Sequence, residues 1–164
     1  MQNEFTEDLE NALDNLYKKG AFLTAKADGK ANTMTISWGS IGYMHRRPVF
    51  MTLVRLSRYT YSILEKSDNF TISIPYDGNL KEALGLCGSK SGREFDKEAE
   101  GWIKYKESSE VTAPVVEGCG KYFECKILFK QLLDKESLTE DLVKNFYGDD
   151  DYHMLYFGEI VKAY

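Results

Sequence analysis

The sequence predicts a mainly β chain: a closed or split antiparallel barrel of six strands, with Greek-key returns and short helices at its periphery. Three observations carry this. Asp28-Gly29, set between two strand-like runs, marks a tight hairpin. Hairpins and long returns outnumber alternating βαβ units along the chain, which favours an antiparallel barrel. No GxGxxG follows the first strand, so a doubly wound nucleotide-binding fold is disfavoured. An open α+β sheet is the nearest competitor.

The elements follow in order. Thr6 is placed to cap a first helix, with Glu7 and Asp8 in its first turn and Leu9, Leu13 and Leu16 on one face. Lys18 and Lys19 suit its last turn and Gly20 its end. Phe22 to Ala27 reads as a strand, and Thr33 to Trp38 as its hairpin return. Met34, Ile36 and Trp38 share one face of that return, and Thr33, Thr35 and Ser37 the other. A loop containing Gly, His and Arg leads to a buried strand over Val49 to Arg55, then a short helix over Ser57 to Lys66. Phe70, Ile72 and Ile74 alternate along a strand that Pro75 ends. Leu80 to Leu86 is helical in pattern, and the segment that starts at 88 begins as a polar loop. Tyr122 to Leu133 is the longest later strand, with Phe123, Cys125, Ile127 and Phe129 on one face. A helix over Ser137 to Phe146, capped by Ser137, and a strand over Tyr152 to Tyr164 close the chain.

The 164 residues suit one domain, 1–164, with no repeat and no low-complexity linker. Acidic residues outnumber basic ones by 26 to 21 for a net charge of −5, which argues against a general nucleic-acid or anionic-membrane binder. A local basic pocket for one phosphate is still compatible with it. The acidic start lacks the basic and apolar regions of a signal peptide, and no apolar run has membrane-spanning length, so cytoplasm is the expected location. Cys87, Cys119 and Cys125 form no paired framework and read as reduced, buried thiols. With only His45 and His153 besides, no zinc-ligand spacing is present. Asp149-Asp150-Asp151 has no EF-hand spacing and reads as a solvated acidic loop, and His153 as a structural histidine.

Three segments have the residue types for ligand chemistry. Arg55-Leu56-Ser57-Arg58-Tyr59-Thr60 lies where a strand turns into a helix. Ser57 sits at the expected N-cap, so hydroxyls, free N–H groups and two guanidinium groups converge on a spot suited to a phosphate. A capped surface helix with solvated arginines is the bland alternative. Asn32 to Gly39 carries hydroxyls opposite an apolar stripe that is most simply core, with Trp38 a packing residue; a planar ring with polar edges along the hydroxyl side is the minority reading. Ser89 to Lys97 is not a Walker A loop. It is either a solvated loop or one that sets Arg93 or Lys97 beside an anionic edge.

The ordered set NTMTISWG at 32–39, RLSRYTYSIL at 55–64, NFTISIP at 69–75, SGREFDK at 91–97 and HMLYFGEIVKAY at 153–164 resembles the flavin reductase-like, or flavoredoxin-like, proteins with an FMN-binding split barrel. The likeness spans Gly20 to the C-terminus. It implies a homodimer with FMN near the dimer interface, and an oxidoreductase passing electrons from NADH or NADPH to bound or free flavin or a downstream acceptor. A flavoredoxin-type carrier without significant nicotinamide turnover, served by a redox partner protein, and a non-flavin small-ligand barrel are the alternatives. At the matching positions Ser57 and Thr60, with Arg55 or Arg58, would hold the phosphate. Met34, Thr35, Ile36, Ser37 and Trp38 would flank the isoalloxazine, bonding its polar edge through backbone groups and Thr35 or Ser37. Asn32, at the head of that segment, joins the cofactor-binding set. Ser91 and Gly92 belong to a loop closing over the cofactor, and Lys97 would set a positive charge near the pyrimidine side, where negative charge develops on reduction. The likeness implies no side-chain acid or base. It departs at Glu94, where Asp is commoner, and at Glu98, where an aromatic is commoner. No adenine-binding signature is present, which favours FMN over FAD.

Overall fold

A computed structural model describes residues 4–164. It contains strands β1 (Ala21–Ala27), β2 (Lys30–Ile36), β3 (Gly39–Met44), β4 (Arg47–Arg55), β5 (Asn69–Ile74), β6 (Tyr105–Lys106), β7 (Val115–Val116), β8 (Lys121–Leu132) and β9 (His153–Ala163). The helices are α1 (Leu9–Lys19), α2 (Tyr59–Leu64), α3 (Lys81–Ser89) and α4 (Glu140–Phe146). Seven strands form one antiparallel sheet in the order β2-β1-β5-β8-β9-β4-β3, and β6 and β7 pair as a separate ribbon. The chain is thus mainly β, as predicted, with β3, β6 and β7 added to the six expected strands. The β3–β4 hairpin was hidden because its turn is His45-Arg46, both at positive φ (52° and 59°). That is the conformation Asn-Gly usually supplies, and Asp28 and Gly29 supply it openly in the first hairpin (51° and 74°).

The sheet curves so that β2 and β4, from its two ends, line one cavity across a split. α2 closes one end of the split, packing against β1, β2 and β4. The core inside the roll takes Ala21, Leu23, Met34, Ile36, Phe50, Val54, Ile72, Phe123 and Ile160 from the strands, with Leu16 of α1 and Leu64 of α2. β1 is buried on both faces. Its Phe22 packs outward into a second cluster with Ala83, Leu84 and Cys87 of α3 and with Ile103 and Val116. β9 is crossed by register shifts against β8, between Glu124 and Cys125 and between Ile127 and Phe129. The second shift separates Phe129 from Ile127, so the single apolar face expected of β8 is broken. Phe129 instead stacks on Phe157, with centroids 4.3 Å apart.

The helix ends differ from the sequence expectation. α1 begins after Asp8, at φ 55°, with no side-chain cap, so Thr6 lies outside it in a short 3-10 turn. α4 begins after Thr139, because Asp134 draws the Ser137 N–H into a separate 3-10 turn (2.9 Å). No helix among the described residues is long and apolar enough to cross a membrane.

Candidate functional site

Two adjoining cavities open in the split. One, about 210 Å³, is lined by Met34, Thr35, Ile36, Ser37 and Trp38, with Leu53, Arg55, Arg58 and His153. The other, about 200 Å³, is lined by Asn32, Met34, Ser57, Arg58 and Thr60 together with Ser91, Gly92, Arg93 and Lys97. Met34 and Arg58 belong to both. The thirteen positions singled out in the sequence, distant along the chain, therefore meet in one composite cleft. Arg55, Arg58, Lys90, Arg93 and Lys97 line it and no carboxylate does. On a protein of net charge −5 this is a local reversal of sign that favours an anion.

The Ser57 turn differs from the expected cap. α2 starts only at Tyr59, with Arg58 as the residue before it and no side-chain cap, so the anion-binding groups sit on a turn rather than on a helix end. Ser57 gives its backbone N–H to Asp151 Oδ1 (3.2 Å) and its hydroxyl to Asp151 Oδ2 (2.5 Å). The acidic run was expected to be a solvated loop, yet it reaches across to this turn. Arg55 is committed to the same loop, donating to the carbonyls of Asp151 (2.6 Å) and Phe146 (2.9 Å). Arg58 spends one nitrogen on the Gly88 carbonyl (3.1 Å). Thr60 is buried and accepts from the Asn32 amide (2.9 Å), which ties β2 to α2.

Along β2 the hydroxyl stripe is used internally. Thr33 shares hydrogen bonds with Thr24 (2.7 Å) and Tyr105 (2.8 Å), and Thr35 donates to the Leu84 carbonyl of α3 (2.6 Å). The side-chain hydroxyl of Thr35 is thus committed to the fold, unlike the expectation that it faces a ring. What β2 offers the split is its unpaired edge. The Thr33 carbonyl turns outward to accept from Lys97, and the two-residue repeat sets the Thr35 backbone on the same edge. Trp38 lies past the strand end and is 43% exposed, not in the core. It meets Phe146 edge-on at 5.3 Å and His153 at 5.5 Å.

Lys97 is 4% exposed, and its ammonium donates to the carbonyls of Thr33 and Cys87. Burial lowers its pKa, and Arg58 adds to this. Its charge therefore pins the 91–97 segment to β2 and α3, and it lines the cavity of the Ser57 turn rather than that of Trp38. Glu98 accepts from the Tyr105 N–H (2.9 Å), fixing the end of that segment to β6. Gly92 allows the close approach of the segment to its neighbours. A Cβ there would lie 2.7 Å from Tyr59 Cδ1 and would collide with the Asn32 side chain. Gly92→Ala is accordingly expected to lower stability by about 1–3 kcal/mol as an overpacked site, measured by urea unfolding; an unchanged midpoint would show that Asn32 and Tyr59 yield freely.

Sequence reasoning missed Leu53, Tyr59, Lys90 and Asp151. Asp151 carries no spacing signal, because its partner is ninety-four residues away. His153, set aside as structural, is 6% exposed and bonds Tyr147 through Nδ1 (2.7 Å), yet it also lines the first cavity. Burial, followed by Arg55, pushes its pKa down to about 4. All three cysteines are free, and burial pushes Cys87 up to about 11. No group of residues suited to a metal ion occurs among the described residues.

Known proteins agree with this architecture. The flavin reductase like domain matches residues 16–164. A protein of Archaeoglobus fulgidus is 26% identical over 153 residues, spanning 93% of this chain and 76% of its own. The flavoredoxin of Methanosarcina acetivorans superposes with a TM-score of 0.68 at 27% identity, covering 89% of this chain and 67% of its own. An FMN-binding protein of Thermus thermophilus shares the fold with a TM-score of 0.67 at 23% identity, covering 88% and 70%. With a match over nearly its whole length and the same rolled sheet, the chain belongs to the flavin reductase-like family.

Proposed function

We propose that the chain is an FMN-binding oxidoreductase that passes electrons from NADH or NADPH to bound or free flavin or a downstream acceptor. The observation that carries this is the Ser57 turn. It already grips an anion, the Asp151 carboxylate, with a backbone N–H and a hydroxyl, at the edge of a cleft whose charged lining residues are all cations. The donor set fits a phosphate, and the apolar floor of Met34, Ile36 and Leu53 beside the free β2 edge fits a planar ring with polar edges. FMN held there would supply one- and two-electron redox chemistry. The chain's own residues do the rest. Ser57 and Arg58 would orient the phosphate, the outward backbone of β2 would bond the ring edge, and Trp38, packed against Phe146, would shield the mouth from water. Purified protein is expected to be yellow or to quench FMN fluorescence on titration, and NADH or NADPH without oxygen should bleach the bound colour. Protein that stays colourless and ignores FMN would end this reading.

A second reading, an electron carrier of the flavoredoxin type, is favoured by the likeness to a flavoredoxin at 27% identity. Flavin that stays oxidised with both nicotinamides but accepts electrons from a redox protein would select it. In either case the chain is inferred to work as a homodimer with the cofactor near the interface. The β3 edge is unpaired, with Tyr43 and Met44 exposed, and Trp38, Leu56, Leu142 and Phe146 add apolar surface. Sedimentation at micromolar concentration tests the dimer.

A further inference from the structure

We propose that the Asp151 carboxylate is the resident anion of the Ser57 turn, that a phosphorylated flavin enters by displacing it, and that Asp151 thereby sets the preference between FMN and riboflavin. The proposal rests on the flavin reading above. Ser57 has two donors, its N–H and its hydroxyl, and both are given to the two oxygens of Asp151. A phosphate oxygen cannot take the same two donors while the carboxylate keeps them. Two like charges in contact in a partly enclosed cleft also repel. Riboflavin, lacking the phosphate, would leave Asp151 where it is.

The side chain can leave without unravelling its loop. The loop backbone is held independently, by Arg55 on the carbonyls of Phe146 and Asp151, and by the Leu56 N–H on the Tyr152 carbonyl (3.1 Å). Asp150 takes the left-handed conformation (φ 56°), which Asp tolerates better than most residues, and so shapes the bend that aims Asp151 at the turn. Displacement therefore reduces to a rotation of one partly exposed side chain about a fixed backbone. The consequence is a cofactor site in which the phosphate competes with a built-in rival, so that FMN exchanges more readily than the number of cations around it implies.

The test is titration of FMN and of riboflavin, read by flavin fluorescence, with the wild-type chain and with Asp151→Asn. Asn keeps the shape and removes the charge. FMN should bind about tenfold tighter to Asp151→Asn, with riboflavin unchanged within about twofold. Asp151→Ala, which offers Ser57 no acceptor, should show the same selective gain. FMN affinity equal in wild type and both variants, or an equal gain for riboflavin, overturns the displacement while leaving the flavin reading intact. Failure of every protein to bind either flavin overturns both.

Discussion

Arg58→Ala is expected to weaken FMN binding by about 2–3 kcal/mol, a hydrogen-bonded contact to a charged group, or roughly 30- to 150-fold in dissociation constant. Riboflavin binding should change little. The expectation falls on Arg58 because of how the other cations are employed. Arg55 gives both terminal nitrogens to the carbonyls of Phe146 and Asp151. The Lys97 ammonium faces the carbonyls of Thr33 and Cys87. Arg93 donates to the Ser57 carbonyl (3.3 Å) and lies over the Tyr59 ring. Arg58 lines both cavities and spends one nitrogen on Gly88, which leaves a fork of donors for a phosphate beside Ser57. The difference between wild type and variant should shrink as salt rises, since the contact is electrostatic and partly exposed. Equal affinities for FMN across salt concentrations would mean that the turn is only a surface turn with a solvated arginine.

The same commitments explain what could be read in advance. The strand runs and the Asp28-Gly29 hairpin were legible because each is local: alternation lies within one element, and the turn type is written in two residues. The β3–β4 hairpin was not, because His45 and Arg46 hold positive φ without the usual residues and the strand they end, β3, is mostly exposed. The candidate residues were legible as types in order, and the fold gathers all of them around one cleft. Their roles were not, since a hydroxyl or ammonium is defined by its partner. Thr35 and Lys97 look like ligand groups in the sequence, yet Leu84 on α3 and the Thr33 and Cys87 carbonyls claim them. Asp151 looks like solvated charge until the return of the chain at β9 carries it against Ser57. In each case the missing information is long-range pairing, which periodicity does not contain.

His153 leads to an expectation in the opposite direction, from burial to pH. Its ring sits beside Trp38 and against Tyr147, and burial together with the Arg55 guanidinium pushes its pKa from 6.5 to about 4 in the folded chain, with Asp151 opposing. Burial raises the Tyr147 pKa, so its phenol stays protonated and can donate to His153 Nδ1, leaving Nε2 as the N–H of a neutral ring. The unfolded chain binds this proton near pH 6.5 and the folded chain only near 4, so between those values the unfolded state holds more protons. Stability from this group is thus fully present above about pH 6.5 and is lost as pH falls toward 4. The loss amounts to about 3 kcal/mol. Urea unfolding of wild type and His153→Gln at pH 7 and at pH 4.5 separates this from the carboxylates, which titrate in both proteins. Wild type should lose about 2–3 kcal/mol more than the variant over that interval. Parallel losses would show that the imidazole takes up its proton without leaving the pocket, and that the neutral ring assigned to the wall of the first cavity is wrong.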